Sequence, residues 1–147
     1  MNARLSLAAI ADRLKASPLM ADVHVSTSYQ RDYLTAFGTT YPAVWVCGQR
    51  LTKASNSGNA SGLYRQIVNV ELAVRIVVQR YADGITDAET ALNTLADNVA
   101  SVLKDWTPPG AEFALGWESA QDGPANESVV TADLIFSTKV IYTRYPT

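Results

Sequence analysis

The sequence contains few of the residues that commonly serve in metal binding and covalent catalysis. Among its 147 residues there is one cysteine and one histidine. The single cysteine, Cys47, excludes an intramolecular disulfide and is typical of proteins that fold in a reducing compartment. The single histidine, His24, excludes any site that needs two histidine ligands. The composition therefore predicts neither a metal nor another cofactor.

Long apolar runs and a strong excess of one charge are also missing. No segment approaches the ~20 consecutive apolar residues that span a bilayer. Charged residues interrupt the start of the chain, unlike the apolar run of an export signal. The net charge is only -2, and neither the dinucleotide-binding nor the P-loop glycine pattern occurs. We expect a soluble protein with no membrane partner and no general affinity for nucleic acid.

Charge is nevertheless distributed unevenly along the chain. Residues 1–80 carry a net charge of +5, residues 81–127 carry -8, and residues 128–147 carry +1. Two interpretations stay open. The opposite segments can neutralise each other inside one fold, or they can lie on opposite flanks and favour head-to-tail association of identical copies.

The middle of the sequence predicts a long strand followed by a helix. Apolar side chains occupy the even positions from Val68 to Val78, which is the alternation of a half-buried strand. Thr86 and Glu89 have the spacing of a capping box, in which each side chain bonds a backbone donor at a helix start. Small and aliphatic residues then recur at helical intervals, which predicts a helix over residues 87–106.

The rest of the chain adds shorter elements around this pair. We predict a helix at residues 3–16 and strands at residues 43–47, 112–117 and 129–144. Together the elements predict an α+β fold: a mostly antiparallel sheet with long strands and two main helices packed on one face. The length is that of one domain, residues 1–147.

A polar segment separates the first two predicted strands of the sheet. Residues 48–62 are rich in glycine, serine, threonine and asparagine, a composition that buries too little apolar surface to order itself. We expect a mobile loop or an extended hairpin arm there. Because long loops are usually functional or disordered, the segment is either a flexible arm that contacts a partner or plain disorder.

A second candidate contact surface lies on the long strands. Val77, Val129, Ile135 and Ile141 are apolar residues at positions where the alternation predicts the sheet face that the helices do not cover. If these residues are contiguous and exposed, we expect a neighbouring subunit to cover them.

Catalytic interpretations have little support. His24 lies between two valines and is interpreted as a structural residue, and Cys47 in its apolar strand is interpreted as a small buried residue. Asp83, Asp87 and Glu89 could hold a divalent metal, but turn formation, capping and the helix dipole already account for them.

The order of these elements has a counterpart in a known family. Residues 70–78, with the sequence VELAVRIVV, residues 87–106 and the closing strand at 134–142 carry the likeness. With the first helix, the aromatic strand and the polar arm, the chain resembles the small tail terminator, or tail completion, proteins of long-tailed bacteriophages.

That resemblance implies a structural protein without catalysis. It implies a subunit of a homohexameric ring that caps the tail tube protein and joins it to the head connector or neck protein. DNA passes through such a ring without sequence-specific binding. The expected location is the virion tail or neck, after assembly in the host cytoplasm.

The residues predicted to contact a neighbour or partner lie in the polar segment and on the open sheet face: Leu51, Lys53, Asn56, Gly58, Asn59, Gly62, Val77, Ile135 and Ile141. The acidic residues predicted to line the central channel are Glu118, Asp122 and Glu127. Two alternatives stay open. One is a small enzyme or ligand-binding domain with a pocket between sheet and helices, and the other is a monomeric adaptor that binds a partner along a strand edge.

Overall fold

The computed structural model describes residues 4–27, 42–57, 64–80, 85–125 and 128–144. The helices in these ranges are α1, Leu7–Lys15, and α2, Ile85–Leu103, with a short 3-10 helix at Pro18–Met20. The strands are β1, His24–Thr27, β2, Ala43–Ser57, β3, Tyr64–Gln79, β4, Gly116–Asp122, and β5, Val129–Arg144. They form one sheet in the order β1-β2-β3-β5-β4, antiparallel except between β1 and β2. The predicted α+β class with a mostly antiparallel sheet is confirmed.

The two longest strands form the centre of the sheet. β3 and β5 have 16 residues each. They pair along their whole length, from Tyr64 opposite Arg144 to Gln79 opposite Val129, without a register shift. The strands predicted from the alternation at residues 68–78 and at residues 129–144 are therefore confirmed, and their strict period keeps one set of side chains on each face.

The even-numbered residues of β3 and β5 face the two helices. α1 buries Leu7, Ile10, Ala11 and Leu14 against this face, and the Ser6 hydroxyl caps it by accepting a 3.2 Å hydrogen bond from the Ala9 amide. The cluster between sheet and helices, here the main core, includes these buried residues of α2, β3 and β5: Leu92, Leu95, Val99, Leu103, Val70, Leu72, Val74, Ile76, Leu134 and Phe136. Neither α1 nor α2 combines the length and apolar character that a membrane-spanning helix requires.

The polar segment after residue 47 is largely a strand. β2 continues to Ser57 and stays paired with β3, with register shifts between Val46 and Gly48 and between Lys53 and Ser55. The prediction of a strand ending at residue 47 is wrong, while the extended hairpin arm is confirmed as far as Ser57. Pairing with β3 supplies the hydrogen bonds that order a sequence too polar to order itself.

Two element starts also differ from the predictions. α2 begins at Ile85, so Thr86 lies inside the first turn and the capping box is wrong. β4 begins at Gly116 and ends at Asp122, four residues later than predicted at its start. The amide of Leu115 donates to the Trp106 carbonyl at 2.8 Å, and Leu115 is buried in the main core. The chain before Gly116 is thereby tied to the end of α2 instead of extending the strand.

Candidate functional site

The sheet face away from the helices is partly closed within the single chain. A second cluster on this face, the small core, contains Ala43, Trp45, Cys47, Ala73, Val77 and Val129, with Ile135 packed against it. The predicted side of the sheet is therefore correct for Val77, Val129 and Ile135. The predicted exposure is wrong for two of them, because Val77 is 0% and Val129 is 1% exposed. Ile135 is half-buried and remains accessible.

A buried ion pair lies beside the small core. The Arg75 Nε donates to Asp133 Oδ1 at 2.7 Å, and an Nη atom of Arg75 donates to Asp133 Oδ2 at 2.9 Å. The two residues are opposite each other on β3 and β5, and their side chains are 4% and 12% exposed. A fork-to-carboxylate contact of this kind holds one register, because a shift of either strand would leave a buried charge without its partner.

The chain after β4 folds against this same face. The Gly123 amide donates to the Thr131 carbonyl at 3.0 Å, and the Thr131 hydroxyl donates to the Pro124 carbonyl at 2.6 Å. A Cβ at Gly123 would collide with the Thr131 side chain and lie near the Arg75 guanidinium. Glycine is therefore required for the close approach that helps bury the ion pair.

Farther along the strands the same face becomes polar and open. A surface depression of about 430 Å³ is lined by ten residues of β2, β3, β5, β4 and the chain before β4: Thr52, Asn69, Glu71, Phe113, Ala114, Gly116, Glu118, Ser137, Thr138 and Lys139. The Ser137 hydroxyl donates to Glu118 Oε1 at 2.6 Å across the open end. The depression holds acidic, basic and amide groups without a buried ionisable cluster, which favours a contact surface over a catalytic pocket.

The predicted contact residues of the polar segment lie where β2 leaves the main core. Leu51 is half-buried and packs against that core, whereas Lys53 and Asn56 occupy positions opposite Val68 and Gln66. Gly58, Asn59 and Gly62 lie outside the described residues. Ile141 is half-buried and stands opposite Ile67 of β3. The structure thus gathers the described members of this set, apart from Val77 and Ile135, at one end of the sheet.

The outer strand β4 is the most exposed element of the sheet. Glu118 and Asp122, two of the predicted channel residues, are exposed on it, and Glu127 lies outside the described residues. The strand predicted at residues 112–117 ended before both acids, and the aromatic residues beside them were not among the predicted contacts. Trp117 is 52% exposed and Phe113 is 56% exposed. Large aromatic surfaces at a sheet edge are typical of contact sites.

The uneven charge of the sequence is partly separated across the sheet. Exposed Arg4, Lys15 and Arg50 lie with α1 and β2, toward one margin. Exposed Glu89, Glu112, Glu118 and Asp122 lie with α2, β4 and the chain before it, toward the opposite margin. Exposed Asp12 and Asp22 also lie beside α1 and β1, and exposed Lys104 and Lys139 lie beside α2 and on β5, so both interpretations of the charge pattern stay open.

The groups considered for catalysis are not brought together. His24 is exposed at the start of β1, while Cys47 is buried in the small core and its thiol donates to the Trp45 carbonyl at 3.4 Å. A depression of about 300 Å³ between the sheet and α2 has no ionisable residue in its lining: Val23, Pro42, Val78, Gln79, Ala91, Thr94, Leu95 and Asn98. In the part of the chain that is described, no group of three potential metal-binding side chains occurs.

Comparison with known proteins indicates the family to which the chain belongs. The model of a family described as "Phage tail terminator protein" matches residues 1–146. No curated protein matches the chain. A chain of the solved structure "Virion of native gene transfer agent (GTA) particle" has the same fold, with a TM-score of 0.65 and 17% sequence identity over 94% of this chain and 96% of that chain.

The family match and the architecture agree. The match spans nearly the whole sequence, and the aligned fold includes the long-stranded sheet and both helices. This makes the protein a structural component of a phage tail. The chain belongs to the phage tail terminator protein family.

Proposed function

We propose that this protein is the subunit of a homohexameric ring that caps the tail tube and joins it to the head connector or neck protein, without catalysis. Its partners are further copies of itself, the tail tube protein and the connector, and DNA passes without sequence-specific binding. The ring assembles in the host cytoplasm and remains in the tail or neck of the virion.

One observation carries the proposal: the three long strands stay paired past the last side chains that are described in the main core. Among the residues whose side chains are described, Leu51 of β2 and Val68 of β3 are the last on this side that pack against the main core. Backbone pairing nevertheless continues through residues 52–57, 64–67 and 141–144, here called the arm. Strands that outrun their packed layer are marginally stable alone, so a neighbouring subunit or the tube gains by covering them.

The arm supplies the proposed contact positions. Lys53 and Asn56 lie within it, Leu51 at its base, and Ile141 on its third strand. Gly58, Asn59 and Gly62, the remaining predicted contacts, lie between β2 and β3 in the sequence. Val77 is no longer proposed, because its side chain is fully buried in one chain. The channel-lining role of Glu118, Asp122 and Glu127 stays a prediction, since it depends on which edge of the subunit faces the channel.

The test combines oligomer mass with tube capping. Native mass spectrometry and sedimentation of the full chain should show a hexamer, and electron microscopy should show capped tubes of limited length when tail tube protein polymerises in its presence. Deletion of residues 55–61 should preserve the far-ultraviolet circular dichroism spectrum and the unfolding midpoint but abolish capping, because it removes the end of the arm.

Two results would contradict the proposal. If the protein remains strictly monomeric at high concentration, with and without tail tube protein, the proposed ring is wrong. A deletion variant that caps tubes as well as the wild type would remove the arm from the contact.

A further inference from the structure

Two large aromatic side chains flank the start of β4. Phe113 is 56% and Trp117 is 52% exposed, and in the described part of the chain Leu19 is the one other exposed large apolar residue. Phe113 lines the polar depression of about 430 Å³ on the sheet face away from the helices. Trp117 stands opposite Phe136, on the side of the helices. Single exposed apolar residues are common on monomers, whereas two aromatic side chains beside one strand form a patch of the kind that partners cover.

The chain that carries these two side chains is fixed by hydrogen bonds. The Glu112 amide donates to the Lys139 carbonyl at 3.0 Å, and the Thr138 hydroxyl donates to the Phe113 carbonyl at 2.5 Å. Between the two aromatic residues, Leu115 is buried in the main core. Because the backbone is already ordered, little conformational entropy is lost when a partner covers the patch.

No internal stretch outside the described residues is long enough to cover both side chains. The longest, residues 28–41, leaves β1 at Thr27 and returns at Pro42 before β2, on the margin opposite β4. A straight path from Thr27 to Trp117 and back to Pro42 is about 45 Å long at ~4.8 Å between strands and ~3.3 Å per residue. Fully extended, 14 residues span about 50 Å, and this path would have to go around the sheet and its helices. The other internal stretches are shorter and border strand ends away from both side chains: 58–63, 81–84 and 126–127. Another molecule is therefore needed to cover the patch.

The surroundings of the patch are acidic. Residues 107–124 contain three acidic residues and no lysine or arginine, and Lys139 is the one basic residue that lines the depression. A matching partner therefore offers apolar and basic groups together. Residues 1–80 of this chain carry a net charge of +5, so a second copy has the charge to be that partner in a head-to-tail contact.

We propose that Phe113 and Trp117 anchor a contact in which the acidic chain around the start of β4 in one copy meets a basic surface of a second copy. The inference rests on the proposed function in requiring self-association, and it goes further by naming one of the two surfaces of the contact. It places Glu118 between subunits instead of on the channel wall. The contact is made by side chains and leaves the strand pairing within each copy unchanged.

A photo-crosslinker at the patch identifies what covers it. The full chain is made with benzoylphenylalanine in place of Trp117 and is irradiated alone and with tail tube protein. Mass spectrometry should find crosslinks that end in residues 1–80 of a second copy. A mixture of unlabelled and isotope-labelled copies separates crosslinks between copies from those within one copy.

Removal of the two aromatic side chains measures their part in the contact. Phe113→Ala with Trp117→Ala should raise the dissociation constant for self-association by more than roughly tenfold, because large aromatic anchors carry much of the free energy of such contacts. Leu19→Ala removes a side chain of similar exposure and is the matched control, with association close to that of the wild type. Sedimentation velocity measures association, and circular dichroism verifies that each variant is folded.

Charge reversal tests the acidic part of the contact. Glu112→Lys with Glu118→Lys should weaken self-association at about 0.05 M salt, because like charges then meet and screening is weak. The control reverses two exposed acids of α2, Glu89→Lys and Asp97→Lys. It has the same net charge and should keep wild-type association.

The outcomes separate the inference from the proposed function. If the crosslinker captures only tail tube protein, or only parts of its own copy, the contact with a second copy is overturned while the hexameric ring stands. The contact is also overturned if the variant without the two aromatic side chains, or the charge-reversed variant, associates as the wild type does. If the wild type itself remains monomeric with and without tail tube protein, the hexameric ring is overturned and the contact falls with it. Crosslinks between copies, together with weakened association of both variants, support the assignment.

Discussion

The two faces of the sheet differ in how far their burial extends. Toward the helices, the main core runs from Val70 to Val78 on β3 at every even position. On the other face, the small core and the Arg75 ion pair cover only the half of β3 that follows residue 72. Before that point, Asn69 is half-buried and Glu71 is exposed. β3 is thus buried on both faces after residue 72 and mainly on one face before it. The less covered end of β3 coincides with the proposed contact region.

The largest effect should come from breaking the ion pair on the open face. Arg75→Met should lower the free energy of unfolding by about 3–5 kcal/mol, because it leaves the Asp133 carboxylate largely buried without its cation. Urea unfolding followed by circular dichroism measures the change. The double variant Arg75→Met with Asp133→Leu is the control, and its free energy of unfolding should fall clearly less than that of the single variant. A loss of less than about 1 kcal/mol in the single variant would show that water, not Arg75, satisfies the carboxylate.

Two smaller losses of stability, at adjacent positions of β3, allow the two faces of the sheet to be compared. Ile76 faces the helices and Val77 faces away, and both are 0% exposed. Ile76→Ala should cost about 2–5 kcal/mol, and Val77→Ala should cost roughly 1.5–3 kcal/mol because fewer buried groups are removed. For each variant, the loss in free energy of unfolding should not change between low and high protein concentration. A cost for Val77→Ala that appears only where the protein self-associates would return this residue to the subunit contact.

The smallest effect on folding is expected at the exposed edge. Trp117→Ala should lower the free energy of unfolding by only about 1–2 kcal/mol, since about half of the side chain is already in solvent. It should nevertheless weaken self-association measured by sedimentation. Leu19 is exposed to a similar degree, at 49% against 52%, but lies away from β4. Leu19→Ala is therefore the matched control, and equal weakening by both changes would count against a specific role for Trp117.

Much of the fold could be predicted from the sequence because its signals are local. The alternation from Val68 to Val78 marks a strand and also states which side chains share a face, and residues 129–144 repeat that signal. The helical spacing behind residue 87 likewise identified α2, although its start was placed too late. Boundaries failed where distant contacts decide them, as when Leu115 docks into the main core and delays β4.

The candidate site was less accessible to sequence reasoning. The polar residues 48–57 looked unable to order themselves, and β3 orders them by pairing along their length. The strand at Gly116–Asp122 was predicted too early, at residues 112–117, because GWESAQD is exposed on both faces and has no alternation to detect. The sequence held one usable signal for the ion pair, because Arg75 and Asp133 both stand at odd positions of long strands. Only the register between those strands shows that they meet.

Amino-acid order alone therefore determined the class of fold, the long strands, the helices and the separation of charge along the chain. The tertiary structure decided which apolar residues are covered and which charges pair. The physical reason is the range of the interactions. Periodicity acts between residues a few positions apart, whereas the burial of Val77 and the partner of Arg75 depend on strands separated by more than 50 residues in sequence.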